Sequence, residues 1–125
     1  MLPDKSTLSI LLSGALLACA NTAFAQTKAV DGMLVGDNGM TLYTFDKDVI
    51  DSGKSVCNGP CATNWPPLMA ADGATAKAPY TIITRDDGKK QYAMAGKPLY
   101  FWAKDTKAGD KTGDGAGGNW HIVKQ

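Results

Sequence analysis

The sequence contains no glutamate; all 12 acidic residues are aspartate. Glutamate builds helices, whereas aspartate favours turns and caps. With 14 glycines beside it, this composition argues against a helical protein. Histidine occurs once, at His121. A single imidazole leaves most acid–base schemes to aspartate alone and excludes a blue-copper centre, which needs two. No basic tract is longer than Lys89-Lys90, and the formal charge is +1. The electrostatic footprint of a nucleic-acid-binding protein is therefore missing. No nucleophile elbow or Gly-rich phosphate loop occurs, and no constellation meets the roles an enzyme site requires. The chain reads as non-catalytic, with no cofactor implied.

What is present begins with an export signal. Residues 8–20 form an apolar run of signal-peptide length, too short to span a bilayer. Ala23-Phe24-Ala25 then places small residues where a signal peptidase reads. The pattern predicts a signal peptide over residues 1–25 and a single domain over 26–125. A competing reading uses Leu16-Leu17-Ala18-Cys19 as a lipobox, with Cys19 lipidated. Cleavage after Ala25 is preferred, because a polar stretch and the Ala-x-Ala site both follow Cys19. Either route exports the chain to the periplasm or beyond, and only the second anchors it to the outer membrane. Either route also consumes Cys19 and leaves the pair Cys57 and Cys61, as an oxidising compartment favours.

The mature chain is organised around a string that it makes twice. Gly39-Met-Thr-Leu-Tyr-Thr-Phe-Asp-Lys-Asp48 returns as Gly96-Lys-Pro-Leu-Tyr-Phe-Trp-Ala-Lys-Asp105. Tyr43 corresponds to Tyr100, Phe45 to Trp102 and Asp48 to Asp105. Asn64-Trp65 is echoed by Asn119-Trp120. The repeats cover about residues 30–69 and 80–124, with a small, low-complexity loop over 70–79. Two copies are too few for an open array. They are expected to close on each other about a pseudo-two-fold axis. Alternating segments and Gly/Asp turns predict about seven short strands in an all-β sandwich or barrel. Residues 26–30 read as a polar lead, and one helical turn fits at Ala62-Thr63-Asn64 before Pro66 and Pro67 stop it. Tyr43, Phe45, Tyr100, Trp102, Trp65 and Trp120 are the expected core. Asp48 and Asp105 stand where a strand enters a loop, a place for a turn-fixing carboxylate.

Tyr43-Thr44-Phe45-Asp46-Lys47-Asp48 and Tyr100-Phe101-Trp102-Ala103-Lys104-Asp105 each carry the motif Tyr-x-(Phe/Trp/Tyr)-x-x-Asp. On these strings the chain resembles an exported bacterial lipoprotein-type repeat family, a secreted repeat of unknown function. Cys57-x-x-x-Cys61 and Trp65-Pro66-Pro67 look like the same family. The resemblance implies tandem repeats, export and often a lipid anchor, with no established activity.

Cys57-Asn-Gly-Pro-Cys61 is the most chemically loaded segment. A structural disulfide is the default for an exported pair. The alternative is a copper or thiol-redox site using Cys57, Cys61 and His121, since thiolates favour Cu(I). Zinc would be one ligand short. Asp110-Lys-Thr-Gly-Asp114-Gly115 faintly suggests the start of a calcium loop, with Asp105 near it, but its twelfth position would be His121 rather than glutamate. A third reading is a glycan-binding module presenting Trp65, Trp102 or Trp120. The overall expectation is an exported, non-catalytic envelope domain with an unknown partner or small ligand.

Overall fold

The structure, a computed structural model, describes residues 27–125. The segment expected to be a signal peptide, residues 1–25, and Cys19 within it lie outside the described residues. Among the described residues the regular elements are mostly strands, with one short α-helix and one 3-10 turn at Ala116–Gly118. β1 (Thr27–Val30) and β2 (Met33–Gly36) form an antiparallel hairpin. β3 (Tyr43–Phe45) pairs with β8 (Trp120–Ile122). A third sheet has the order β4 (Met69–Ala70), β6 (Lys90–Met94), β5 (Tyr80–Thr84), with β7 (Lys97–Pro98) also on β6. The helix α1 spans Pro60–Asn64, with Pro60 in its first turn, where a missing N–H costs nothing.

The all-β class is as the composition predicts, but the strands of the described residues form three small open sheets rather than a closed barrel. Two local readings are corrected. Residues 27–30 are not a polar lead but β1, because Val30 and Ala29 pair with Met33 and Leu34. The inter-repeat loop does not include Ala70, which is buried and pairs with Lys90.

The two repeats interlock. Each keeps its own hairpins but lends its last strand to the other. Leu34 N–H donates to Val123 O at 2.8 Å, and its counterpart Tyr92 N–H donates to Leu68 O at 2.9 Å. Asp46 N–H reaches Asn119 O at 2.8 Å, as Ala103 N–H reaches Asn64 O at 2.9 Å. At the centre Tyr43 and Tyr100 exchange both backbone bonds, at 2.8 and 3.0 Å. This antiparallel pair lies on the pseudo-two-fold relation.

Because side chains alternate along a strand, the central pair faces two cores. Leu42 and Leu99 enter one cluster with Leu34, Leu68, Ala70 and Tyr92. Tyr43 and Tyr100 enter the other with Cys57, Trp65 and Trp120. Leu42, Tyr43, Leu99 and Tyr100 are all fully buried. The aromatic residues expected as the core thus form only one of two layers.

Candidate functional site

The motif residues converge on the aromatic cluster. Phe45 stacks on Trp120 with centroids 4.1 Å apart, Trp120 on Trp65 at 3.8 Å, and Trp65 on Trp102 at 3.9 Å. The order alternates between repeats and is symmetric about its middle. Tyr43 meets Trp65 edge-on at 5.4 Å, and Tyr100 meets Trp120 edge-on at 5.1 Å. Offset stacks and edge contacts of this kind add to the burial of the rings. Gly113 admits the stack: a Cβ there would stand 2.7 Å from Trp65 Cη2 and 3.0 Å from Trp102 Cγ.

The tyrosine of each repeat is bonded to the aspartate of the other. Tyr43 Oη donates to Asp105 Oδ2 at 2.6 Å, and Tyr100 Oη donates to Asp48 Oδ2 at 2.5 Å. The second oxygen of each carboxylate closes a local loop. Asp48 Oδ1 accepts Val56 N–H at 2.8 Å; Asp105 Oδ1 accepts Thr112 N–H at 3.0 Å and Thr112 Oγ1 at 2.6 Å. One carboxylate therefore fixes a turn and ties the repeats together. Burial pushes both phenols well above their ordinary value of 10.0, and the facing carboxylates add to it. Burial also raises the Asp48 carboxyl, against the lowering effect of Tyr100, the Val56 N–H and the Arg85 charge.

The repeats differ in what lies behind each tyrosine. Behind Tyr43, Gly113 N–H donates to Oη at 3.2 Å. Behind Tyr100 a longer relay runs inward. Because the Tyr100 hydroxyl spends its own proton in the bond to Asp48, Ser55 Oγ donates to Tyr100 Oη at 2.6 Å. Ser55 Oγ in turn accepts Arg85 Nη1 at 3.1 Å and Cys57 N–H at 3.2 Å. Arg85 is 4% exposed. Its remaining donors reach Gln91 Oε1 at 2.6 Å, Cys57 O at 2.5 Å and Asn58 Oδ1 at 3.3 Å. Gln91 is closed by Nε2 donating to Leu99 O at 2.8 Å. The sequence reading missed Arg85, Ser55 and Gln91. A signal existed: Arg85 is the only arginine among 13 basic residues, and a planar fork suits several fixed acceptors where lysine does not.

Cys57 and Cys61 form a disulfide, with S–S 2.03 Å. The copper alternative is corrected by this geometry. Both sulfurs are bonded to each other, and His121 is turned outward, with Nε2 2.7 Å from Asp46 Oδ2. Adjacent side chains on β8 take opposite faces, so Trp120 enters the core and His121 leaves it. Among the described residues no three His, Cys or Asp side chains gather as a metal-ligand set. The calcium suggestion fails likewise. Asp110 accepts Thr106 N–H at 2.9 Å and Lys107 Nζ at 2.9 Å; these contacts hold its carboxyl down at about 2. Asp114 Oδ1 takes Ile122 N–H at 3.1 Å. The glycan reading is also corrected in part: Trp65 and Trp120 are each 6% exposed, because they sandwich each other at the middle of the stack. Trp102, at one end, stays half-buried beside Lys104.

Beside Arg85 an open groove of about 340 Å³ is lined by Asn58, Gly59, Ala62, Pro67, Met69, Asp87 and Lys89. No helix among the described residues is long and apolar enough to cross a membrane.

Comparison with known proteins agrees with the internal symmetry. A family model described as a secreted repeat of unknown function matches residues 26–69 and again residues 81–124. No curated protein and no solved structure is significantly similar to the chain. The matched segments contain both copies of the tyrosine–aspartate motif, and the chain belongs to this family of secreted repeats.

Proposed function

We propose that the chain serves as an exported, non-catalytic envelope domain, in which the doubled motif is a structural clamp. One observation carries this reading. The four polar groups of the motif, Tyr43, Asp105, Tyr100 and Asp48, are buried and spend their hydrogen bonds on each other and on nearby loops. A group so satisfied is not open to a substrate, and a buried, fully partnered network rigidifies a fold. Contacts with an envelope partner or a small ligand then fall to the surface loops and the groove beside Arg85. The export pattern and the disulfide support a periplasmic or secreted location, with a soluble mature form beginning at Gln26.

The test is a pair of conservative changes, Tyr43→Phe and Tyr100→Phe. Each should lower stability in proportion to the bond lost, with surface binding retained by whatever molecules remain folded. Robust turnover of any substrate that depended on His121 or a motif aspartate would overturn the reading. Intact mass of the mature N-terminus decides the anchor: a start at Gln26 agrees with the soluble form, and a lipid on Cys19 contradicts it.

A further inference from the structure

The clamp does not account for why three indoles stand in unbroken face-to-face contact and meet two phenols. Trp102 is the outermost, half-buried ring, while Trp65 and Trp120 are buried. At 3.9 and 3.8 Å the π-systems of Trp102, Trp65 and Trp120 overlap, so an electron vacancy on one indole passes readily to the next. Lys104 Nζ lies 5.8 Å over the Trp102 ring. A cation there disfavours positive charge on Trp102 and drives a vacancy inward. Phe45, much harder to oxidise, closes the far end. Tyr43 touches Trp65 and Tyr100 touches Trp120. Oxidation makes a phenol strongly acidic, so it needs a proton acceptor in place. Asp105 and Asp48 already hold those protons in short hydrogen bonds. Neither of the other two tyrosines is arranged this way: Tyr80 bonds Thr27 Oγ1, and Tyr92 packs in the leucine cluster.

We propose that the stack accepts single oxidising equivalents at Trp102 and holds them on Tyr43 or Tyr100 as neutral tyrosyl radicals. One electron leaves Trp102 for a one-electron oxidant of the radical or high-valent metal class. One electron then moves from Tyr43 through Trp65 to refill Trp102, and the Tyr43 proton crosses to Asp105 Oδ2. For Tyr100 the electron moves through Trp120 and Trp65, and the proton goes to Asp48 Oδ2. A one-electron reductant of the thiol or ascorbate class returns the electron, and the proton returns to the phenolic oxygen. The aromatic stack of an exported domain thereby absorbs oxidising equivalents without permanent damage.

The test uses the exported protein with photogenerated tris(bipyridine)ruthenium(III), read by transient absorption and freeze-quench electron paramagnetic resonance. A tyrosyl signal should grow as the indole radical decays, and more slowly in deuterium oxide. The Tyr43→Phe/Tyr100→Phe protein should lose the tyrosyl signal and keep a longer-lived indole radical. Trp102→Phe retains both phenols and a ring at the stack end, and should slow uptake severalfold. An unchanged tyrosyl yield in the double variant would assign the radical to Tyr80 or Tyr92 and overturn the proposal. So would an unchanged uptake rate in Trp102→Phe, which decides the matter even if the double variant does not fold.

Discussion

Tyr43 of the first repeat donates its hydroxyl proton to Asp105 of the second at 2.6 Å, across 62 positions of chain. Tyr100 returns the relation to Asp48. The doubled tyrosine–aspartate motif is therefore completed only between repeats, never within one. A motif tyrosine contributes both a buried ring and a bond to the other half of the molecule.

These two contributions separate by substitution. Tyr43→Ala removes the ring and should cost about 3–5 kcal/mol, as expected for a buried aromatic. Tyr43→Phe keeps the ring but strips one acceptor of Asp105 and the Gly113 N–H of partners. It should cost about 1–3 kcal/mol. Urea midpoints of the two variants check the order. Equal losses would mean that the bond alone matters.

The same tyrosines predict an alkaline weakness. Both phenols are raised in the fold above their ordinary value of 10.0. The unfolded chain therefore loses these protons first, and stability falls as pH rises above that value. The slope is at most about 1.4 kcal/mol per tyrosine per pH unit. Urea midpoints followed from about pH 9 to about pH 11 should fall more steeply for the natural protein than for Tyr43→Phe/Tyr100→Phe. Because the lysines titrate in both proteins, the difference isolates the two phenols.

Arg85 should not tolerate lysine. Its guanidinium serves Ser55, Gln91, Cys57 O and Asn58 from one buried position. An ammonium cannot span that set. Arg85→Lys should lose about 1.5–3 kcal/mol, the scale of a charged hydrogen bond left unmade. Equilibrium denaturation reads the loss, and Lys89→Ala on the exposed turn serves as the control.

Gly113→Ala should disturb the stack directly. The added methyl would overlap Trp65 and Trp102. The cost is that of overpacking, about 1–3 kcal/mol, and near-ultraviolet circular dichroism should change with it. A Gly115→Ala control meets open space, although its positive φ of 83° strains alanine there. It should therefore lower stability without altering the indole signal.

Opening the Cys57–Cys61 disulfide should weaken the fold without abolishing it. The bond spans a short loop, so the chain-entropy estimate is only about 2 kcal/mol. Cys57→Ala/Cys61→Ala should remain folded with a lowered midpoint. Complete unfolding would show that the bond also holds the Cys57 carbonyl for Arg85.

The amino-acid sequence by itself determined the class, the doubling and the turn chemistry. Absence of glutamate, abundance of glycine and aspartate, and two gapless copies of Gly-x-x-Leu-Tyr-x-aromatic-x-Lys-Asp are local properties. Local pattern reports strands and turns because side-chain alternation and turn propensity act over a few residues. The tertiary structure decided which repeat completes which. Val123 seats on Leu34 and Leu68 on Tyr92, and nothing in either string names a partner so far along the chain. It also decided that Trp65 and Trp120 face each other rather than solvent, and that His121 points away from the sulfurs. Arg85 was visible as an oddity and legible only once Ser55, Asn58 and Gln91 stood around it. The physical reason is the same in each case. Each hairpin presents an apolar face that it cannot bury alone, and the nearest complementary face belongs to the other repeat.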